Sequence, residues 1–318
     1  MNRKETLNIT IAGTWSTYAG SMMSILNNCG MWDSDRSLAD FMGMTGIAFQ
    51  FIVHKACASS SVTAYDWESD HPSFLKRIGV KTDFCFSVPS QSDYQNVCKI
   101  AEKEIKDSIH AGRGVVLWGI DTGEFGIVSG YDDDEKIFYV SGIGSSDGVT
   151  SSPILYSNLG RTFQPAPIMY CHYPISYEPR KEHDIFADSL TFYVRYMRES
   201  NIRGDFDQGL AAYDYWIHAM NTDFQPFGLR YITGVYTERK ILTYQYFEGH
   251  NKYLSPDFIE IWDNIQVIFR KIHFDILEQN FNGWNHLHKS VSKTQAKAVQ
   301  NLLSQAKILE ERALQLAI

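Results

Sequence analysis

Apolar and polar positions in the first half of the chain switch between a strand period and a helix period. Leu7–Ala12 alternates and is rich in β-formers, which predicts a first strand. From Thr17 to Asn28 the apolar residues Ala19, Met22, Met23, Ile25 and Leu26 recur at helical spacing, with Ser16 or Thr17 as N-cap and Gly30 as the stop. A short helix, SLADFMG, opens at Ser34 or Asp35, and Ile47–Val53 follows as a strand. Gly43 and Gly46 near that bend suggest close backbone approach, to the neighbouring helix in the favoured reading or to a ligand. His71–Ile78 predicts a short helix with Pro72 in its first turn. Phe84–Val88 predicts a strand, and Ser92 or Asp93 caps a longer helix to about His110, with Val97, Ile100, Ala101, Ile105 and Ile109 on one stripe.

The strongest pattern lies between Gly112 and Gly142. Three strands are predicted there, Gly114–Gly119, Glu124–Tyr131 and Lys136–Val140, separated by Gly123 and the Asp132–Asp134 turn. The first of them, VVLWG, is apolar on both faces, as a buried strand requires. Glu124 stands just before FGIV, where a carboxylate is costly unless it has a partner. The glycine- and serine-rich stretch Gly142–Ser152 is a candidate lid, and Ile168–His172 another strand. Beyond Pro174, Pro179 and the charged run PRKEHD, strand patterns nearly vanish. Helices are predicted over Asp184–Glu199, Phe206–Asn221, Gly228–Phe247, Pro256–Gln279 and Val291–Ala317. The fold class is therefore α+β: an N-terminal domain with a central antiparallel sheet, residues 1–178, and an all-helical C-terminal domain, residues 179–318.

Composition narrows the role. The 318 residues are 44% hydrophobic and 14% aromatic, ample for two cores, and the net charge is −8. An acidic balance argues against nucleic acid or an anionic membrane as the main partner. The start, MNRKETLNIT, has no apolar segment of the kind a signal peptide carries, and no run suffices to span a bilayer. Five scattered cysteines without a CxxC motif suit reduced thiols in a cytoplasmic protein. The glycines form no phosphate-binding loop, and no cofactor is expected.

The order of elements carries a resemblance. EFGIVSGYDDDEKIFYV (Glu124–Val140) resembles the strand pair that bears the histidine in bacteriocin-processing cysteine peptidases and in the butirosin-biosynthesis protein H family. STYAGSMMSILNNCG (Ser16–Gly30) resembles their nucleophile helix, and GLAAYDYW (Gly209–Trp216) the helical extension of the butirosin-type proteins. The resemblance implies a papain-like N-terminal domain with a peptidase or acyltransferase ancestry. Its chemistry does not carry over: the nucleophile position falls on or beside Thr17, the histidine position on Glu124, and the aspartate position near Gly142. The region expected to supply an oxyanion-stabilising glutamine reads NITIAG. A secondary hydroxyl needs a strong base to react, and a carboxylate serves only if its surroundings favour the proton.

Ser16, Thr17, Tyr18 and Glu124 are thus expected to converge in one cleft, with Trp118 on a neighbouring strand. Glu124 has three readings: a structural carboxylate, a ligand anchor in a site that has left peptidase chemistry, or an acid or base. The expected ligand is a small molecule or an acyl or peptidyl group, held with or without turnover. The alternative is an atypical amide hydrolase or acyltransferase that uses a hydroxyl or a displaced thiol; Cys29, at the far end of the helix, is a poor substitute. His286 and His288 lack a third metal ligand, and Asp132–Asp134 lacks calcium-loop spacing. In a strand, Cys171 and His172 point to opposite faces. Arg230, Arg239 and Glu238 could reach a groove between the domains, with a solvated face as the default expectation, and the aromatic-rich helical half could support a homodimer.

Overall fold

The computed structural model describes residues 4–144, 151–200, 204–280 and 285–317. The chain divides into two compact units. One comprises Met1–Phe41 and Glu68–Arg180, and the other Met42–Trp67 and Lys181–Ile318. The sequence-expected break at residue 178 lies close to the Arg180–Lys181 division. The separate assignment of residues 42–67 to the helical unit is a feature that local pattern does not reveal.

The first unit is built on an antiparallel sheet of seven strands, ordered β3-β8-β4-β5-β6-β7 with β1 on β5. Its strands are β1 (Lys4–Thr6), β3 (Val80–Ser87), β4 (Val115–Trp118), β5 (Phe125–Asp132), β6 (Ile137–Ser141), β7 (Ile154–Leu155) and β8 (Met169–Tyr177). Its helices are α1 (Thr17–Asn28), α3 (Trp67–Arg77, entered from the other unit) and α4 (Tyr94–His110). The amphipathic stripe of α4 buries Ala101, Ile105 and Ile109 on one face of the sheet, against Val115, Leu117, Val128, Met169 and Cys171. The opposite face takes α1 and the His71 turn of α3. The three central strands fall within a residue or two of the expected spans, because apolar runs between glycine and aspartate turns leave little choice of register.

Two expectations for this unit change. Residues 7–12 form no strand. The ladder to β5 is made by Lys4–Thr6 instead, on the stretch 130–132 that β4 leaves free. Gly130 permits this approach, since a Cβ there would sit 2.6 Å from the Glu5 carbonyl oxygen. Gly130→Ala is therefore expected to cost about 1–3 kcal/mol and to release β1. Hydrogen exchange would register this as lost protection of the amides at 4–7 with the rest of the sheet unchanged. The second change is at Pro72, which lies inside α3 and not in its first turn.

The second unit is mainly helical: α5 (Glu182–Arg198), α6 (Gly209–Ala219), α7 (Pro226–Gly249), α8 (Pro256–Arg270) and α9 (Lys293–Leu316), with a π-helical turn over Lys271–Ile276. It is not all-helical. β2 (Ile52–His54) pairs antiparallel with β9 (Phe206–Gln208), and Ile47–Phe49 is a 3₁₀ turn where a continuous strand was expected. The phenol of Tyr236 anchors β2, accepting from the Ile52 N–H at 3.1 Å and donating to the Ile52 carbonyl. A helix, α2 (Leu38–Thr45), links the first unit to this segment. Arg230 and Arg239 are buried, not solvated. Arg230 donates to the carbonyls of Leu277, Lys289 and Ser290, and Arg239 to that of Gln50. Among the described residues no helix is long and apolar enough to cross a membrane.

Candidate functional site

Thr17 is the first residue of α1, and Ser16 is its N-cap without a side-chain cap bond. The Thr17 hydroxyl is committed elsewhere. It donates to Glu124 Oε2 at 2.7 Å and accepts from the Phe125 N–H at 3.2 Å. Both side chains are buried, Thr17 at 3% and Glu124 at 6% exposure. The carboxylate is positioned by the β4–β5 turn, where the Glu124 carbonyl accepts from the amides of Gly119 and Ile120 at 2.8 and 3.2 Å. The two residues expected to meet, 107 positions apart in the sequence, lie on one face of the sheet within hydrogen-bond reach.

Ser16 is held by its own amide, which donates to Thr14 Oγ1 at 3.1 Å. Gly20, one turn beyond Thr17, lets α1 settle on the preceding loop, since a Cβ there would meet the Ala12 carbonyl oxygen at 2.5 Å. Trp118 ends β4 opposite Phe125, with the rings edge-on at 5.0 Å. Its indole N–H donates to the Ala166 carbonyl at 3.2 Å. The Phe163 ring lies edge-on to Trp118 at 6.2 Å, so the segment 161–166 covers this side.

Tyr18 faces a group that sequence reasoning missed. Its ring stacks on His71 at 3.5 Å, and its phenol bonds His172 Nδ1 at 2.9 Å. His71 Nδ1 in turn meets the Tyr170 hydroxyl at 2.6 Å, and Phe125 stands edge-on to Tyr18 and His71 at 5.6 Å. Burial lowers His172 to about 3. Burial, with the neighbouring His172, holds His71 well below the ordinary imidazole range. Both rings are therefore neutral at pH 7. His172 Nε2 is buried with no hydrogen-bond partner among the described residues. The signal for His172 was present in β8, where Tyr170 and His172 alternate with Met169, Cys171 and Tyr173. What local pattern lacks is the pairing of Val116 with His172, which brings that face beneath α1. Cys171 points to the α4 side, away from His172, as the alternation requires.

The hydroxyl–carboxylate contact allows general-base use in principle, because the hydroxyl proton already points at a carboxylate oxygen. The same contact satisfies the hydroxyl and leaves it closed over. Losing it is expected to cost about 1–3 kcal/mol, since Thr17→Val strips a buried carboxylate of a donor without changing side-chain shape. Urea unfolding of the variant measures that cost. The remaining candidates have other contacts. His286 Nε2 bonds Asn280 Oδ1 at 2.9 Å, and the His288 ring lies 5.3 Å from that of Phe227. Among the described residues no cluster of three or more His, Cys, Asp or Glu forms a metal site. Asp132 accepts from the amides of Asp134 and Glu135, as a turn aspartate does. Of the expected lid at Gly142–Ser152, residues 145–150 lie outside the described residues. Comparison with protein-family models and with curated proteins finds no match for the chain.

Proposed function

We propose that this chain is a papain-like-fold protein without the cysteine–histidine dyad, and that it binds a small molecule or an acyl or peptidyl group beside Thr17 and Glu124 without turning it over. The observation that carries this reading is the 2.7 Å hydrogen bond between Thr17 and Glu124 at the N-terminus of α1. These are the positions where the resemblance puts the nucleophile and the histidine. A thiolate and imidazole are replaced by a hydroxyl and a carboxylate, which retain polar recognition and the dipole of α1 but give up the reactive sulfur. Turnover is disfavoured because the threonine oxygen is already bonded on two sides and buried.

The rest of the arrangement fits binding. Tyr18 is the next residue on α1 and Trp118 ends the strand before Glu124, so aromatic side chains neighbour the polar pair in the chain, a mix that suits a small-molecule site. The Phe163 ring rests against Gly123 and Trp118, so in this reading the segment 161–166 is what a ligand has to displace. Phe163→Ala is accordingly expected to speed ligand association at least several-fold, read by stopped-flow quenching of intrinsic tryptophan fluorescence, while leaving the unfolding midpoint within about 2 °C in a thermal melt.

The test is a thermal-shift and intact-mass screen of N-acetyl amino acids, short peptidyl amides and acyl thioesters. Binding to the wild type, weakened at least tenfold in Glu124→Gln and unaccompanied by product or adduct, is the expected result. Steady product formation that Thr17→Val abolishes would establish the hydrolase or acyltransferase alternative instead. Binding unaffected by Glu124→Gln would remove Glu124 from the site.

A further inference from the structure

Cys85 and Cys171 stand directly opposite one another in the β3–β8 ladder, flanked by the pairs Phe84–His172 and Phe86–Tyr170. Residues so placed point to the same face with Cβ atoms about 4.5–5.5 Å apart. A disulfide spans about 3.5–4.5 Å between Cβ atoms, so a small strand adjustment is enough. Both thiols are free and belong to the core beneath α4. They are not equivalent. β3 is the outermost strand of the sheet, and Cys85 keeps 9% of its surface exposed where Cys171 keeps none.

We propose that Cys85 and Cys171 form a reversible disulfide site, with Cys85 as the thiol that meets peroxide and Cys171 as the resolving thiol. The inference stands independently of the ligand proposal. In the first step the Cys85 thiolate attacks a peroxide oxygen. The O–O bond breaks, hydroxide leaves and takes a proton to become water, and Cys85 is left as a sulfenic acid. The Cys171 sulfur then attacks the Cys85 sulfur. The S–S bond forms as the S–O bond breaks, and the departing hydroxide takes the Cys171 proton as a second water. Two thiols lose two electrons in all, and one hydrogen peroxide is reduced to two waters. A dithiol reductant reverses the bond by exchange.

Chemistry supports the same division of roles. The hydrogen bond from Cys171 holds Cys85 below the ordinary thiol range, against burial and the charges of Glu104 and Asp83. Cys171, as donor and fully buried, is pushed well above it. Burial raises each of the other three, Cys29, Cys57 and Cys98. Thiolate content therefore favours Cys85 among the five. The bond would also tie β8 in register to the sheet edge, on the strand whose other face carries His172 to Tyr18.

Hydrogen peroxide treatment of the purified chain, followed by intact mass and non-reducing peptide mapping, tests the proposal. The expected result is loss of one hydrogen pair, a linked pair of peptides containing Cys85 and Cys171, and full reversal by dithiothreitol. A rise in Tm on the order of 5 °C should accompany it, because the bond closes a long loop. Cys29→Ala/Cys98→Ala should still form the bond, and Cys85→Ala should not. Should Cys85→Ala fold poorly, the map of the unmodified chain decides. Sulfinic acid at Cys85 with no link, or oxidation confined to Cys29 and Cys98, would overturn the proposal.

Discussion

Replacing Lys240 with methionine is expected to destabilise the helical unit by about 3–5 kcal/mol. Lys240 on α7 and Glu310 on α9 form an ion pair at 2.7 Å whose side chains are 4% and 0% exposed. Lys240 Nζ also reaches the second carboxylate oxygen at 2.8 Å, and the Tyr213 hydroxyl donates to the first at 2.6 Å. Four rings close around the ammonium, those of Phe51, Tyr213, Trp262 and Phe269, at 4.7–5.7 Å. Burial lowers the Lys240 pKa, and Glu310 opposes that shift. Taking Lys240 away leaves the Glu310 carboxylate dehydrated with the Tyr213 hydroxyl as its donor, and taking Glu310 away leaves the ammonium dehydrated among aromatic rings. The carboxylate then has to take up a proton or lose its surroundings. Removing both is a different matter, because the desolvation cost of the pair disappears with its attraction. Lys240→Met/Glu310→Leu should therefore recover most of the loss, to within about 1–2 kcal/mol of the wild type. Chemical denaturation followed by far-UV circular dichroism measures all three chains. Equal loss in the single and double variants would show that packing volume, not the unpaired charge, sets the cost.

Acidification from pH 7 to pH 4 is expected to remove several kcal/mol from the sheet unit through its buried imidazoles. His172 is neutral in the folded chain down to about 3, whereas an unfolded imidazole takes its proton near the ordinary 6.5. Between those values the unfolded state binds more protons, so stability rises with pH across that window and is lost as pH falls through 6.5. The ceiling from His172 alone is about 4–5 kcal/mol, and His71, lowered for the same reason, adds with the same sign. Asp132 and Asp133, whose pKa values are lowered by hydrogen bonds, lose their contribution only at lower pH. His273, lowered to about 4 by burial, titrates in the same window but belongs to the helical unit. His172→Gln separates the two: it should weaken the pH dependence of amide protection in the sheet unit and leave that of the helical unit untouched. A wild-type sheet unit of constant stability between pH 7 and 4 would contradict the buried, neutral imidazoles.

Legibility in the sequence followed the length of the local signal. β4, β5 and β6 were readable because runs such as VVLW and FGIV sit between glycine and aspartate turns. α1, α4 and α9 were readable from their stripes; α9 also has a capping box between Ser292 and Gln295. Short elements whose pairing is decided at a distance were not. Lys4–Thr6 is a strand because β5 offers it an edge, while of the more apolar residues 7–12 Leu7 alone bonds to that strand, through its amide to the Ser129 carbonyl. Ile52–His54 pairs with Phe206–Gln208, about 150 residues away, and nothing in either triplet announces the other. The meeting of Thr17 with Glu124 was legible from the order of elements. The Tyr18–His71–His172–Tyr170 cluster was not, because it depends on the register of β8 against β4 and on where α3 is laid.

The measurement that bears most directly on the central claim is calorimetric titration of the wild type, Thr17→Val, Glu124→Gln and the double variant with the strongest binder from the acyl and peptidyl screen. The account predicts saturable binding to the wild type, loss of at least tenfold in each single variant, and a double variant no weaker than the worse single, since the two groups act as one hydrogen-bonded unit. Intact mass should show an unchanged ligand after overnight incubation. Independent, additive losses, or a ligand consumed by the wild type alone, would contradict it.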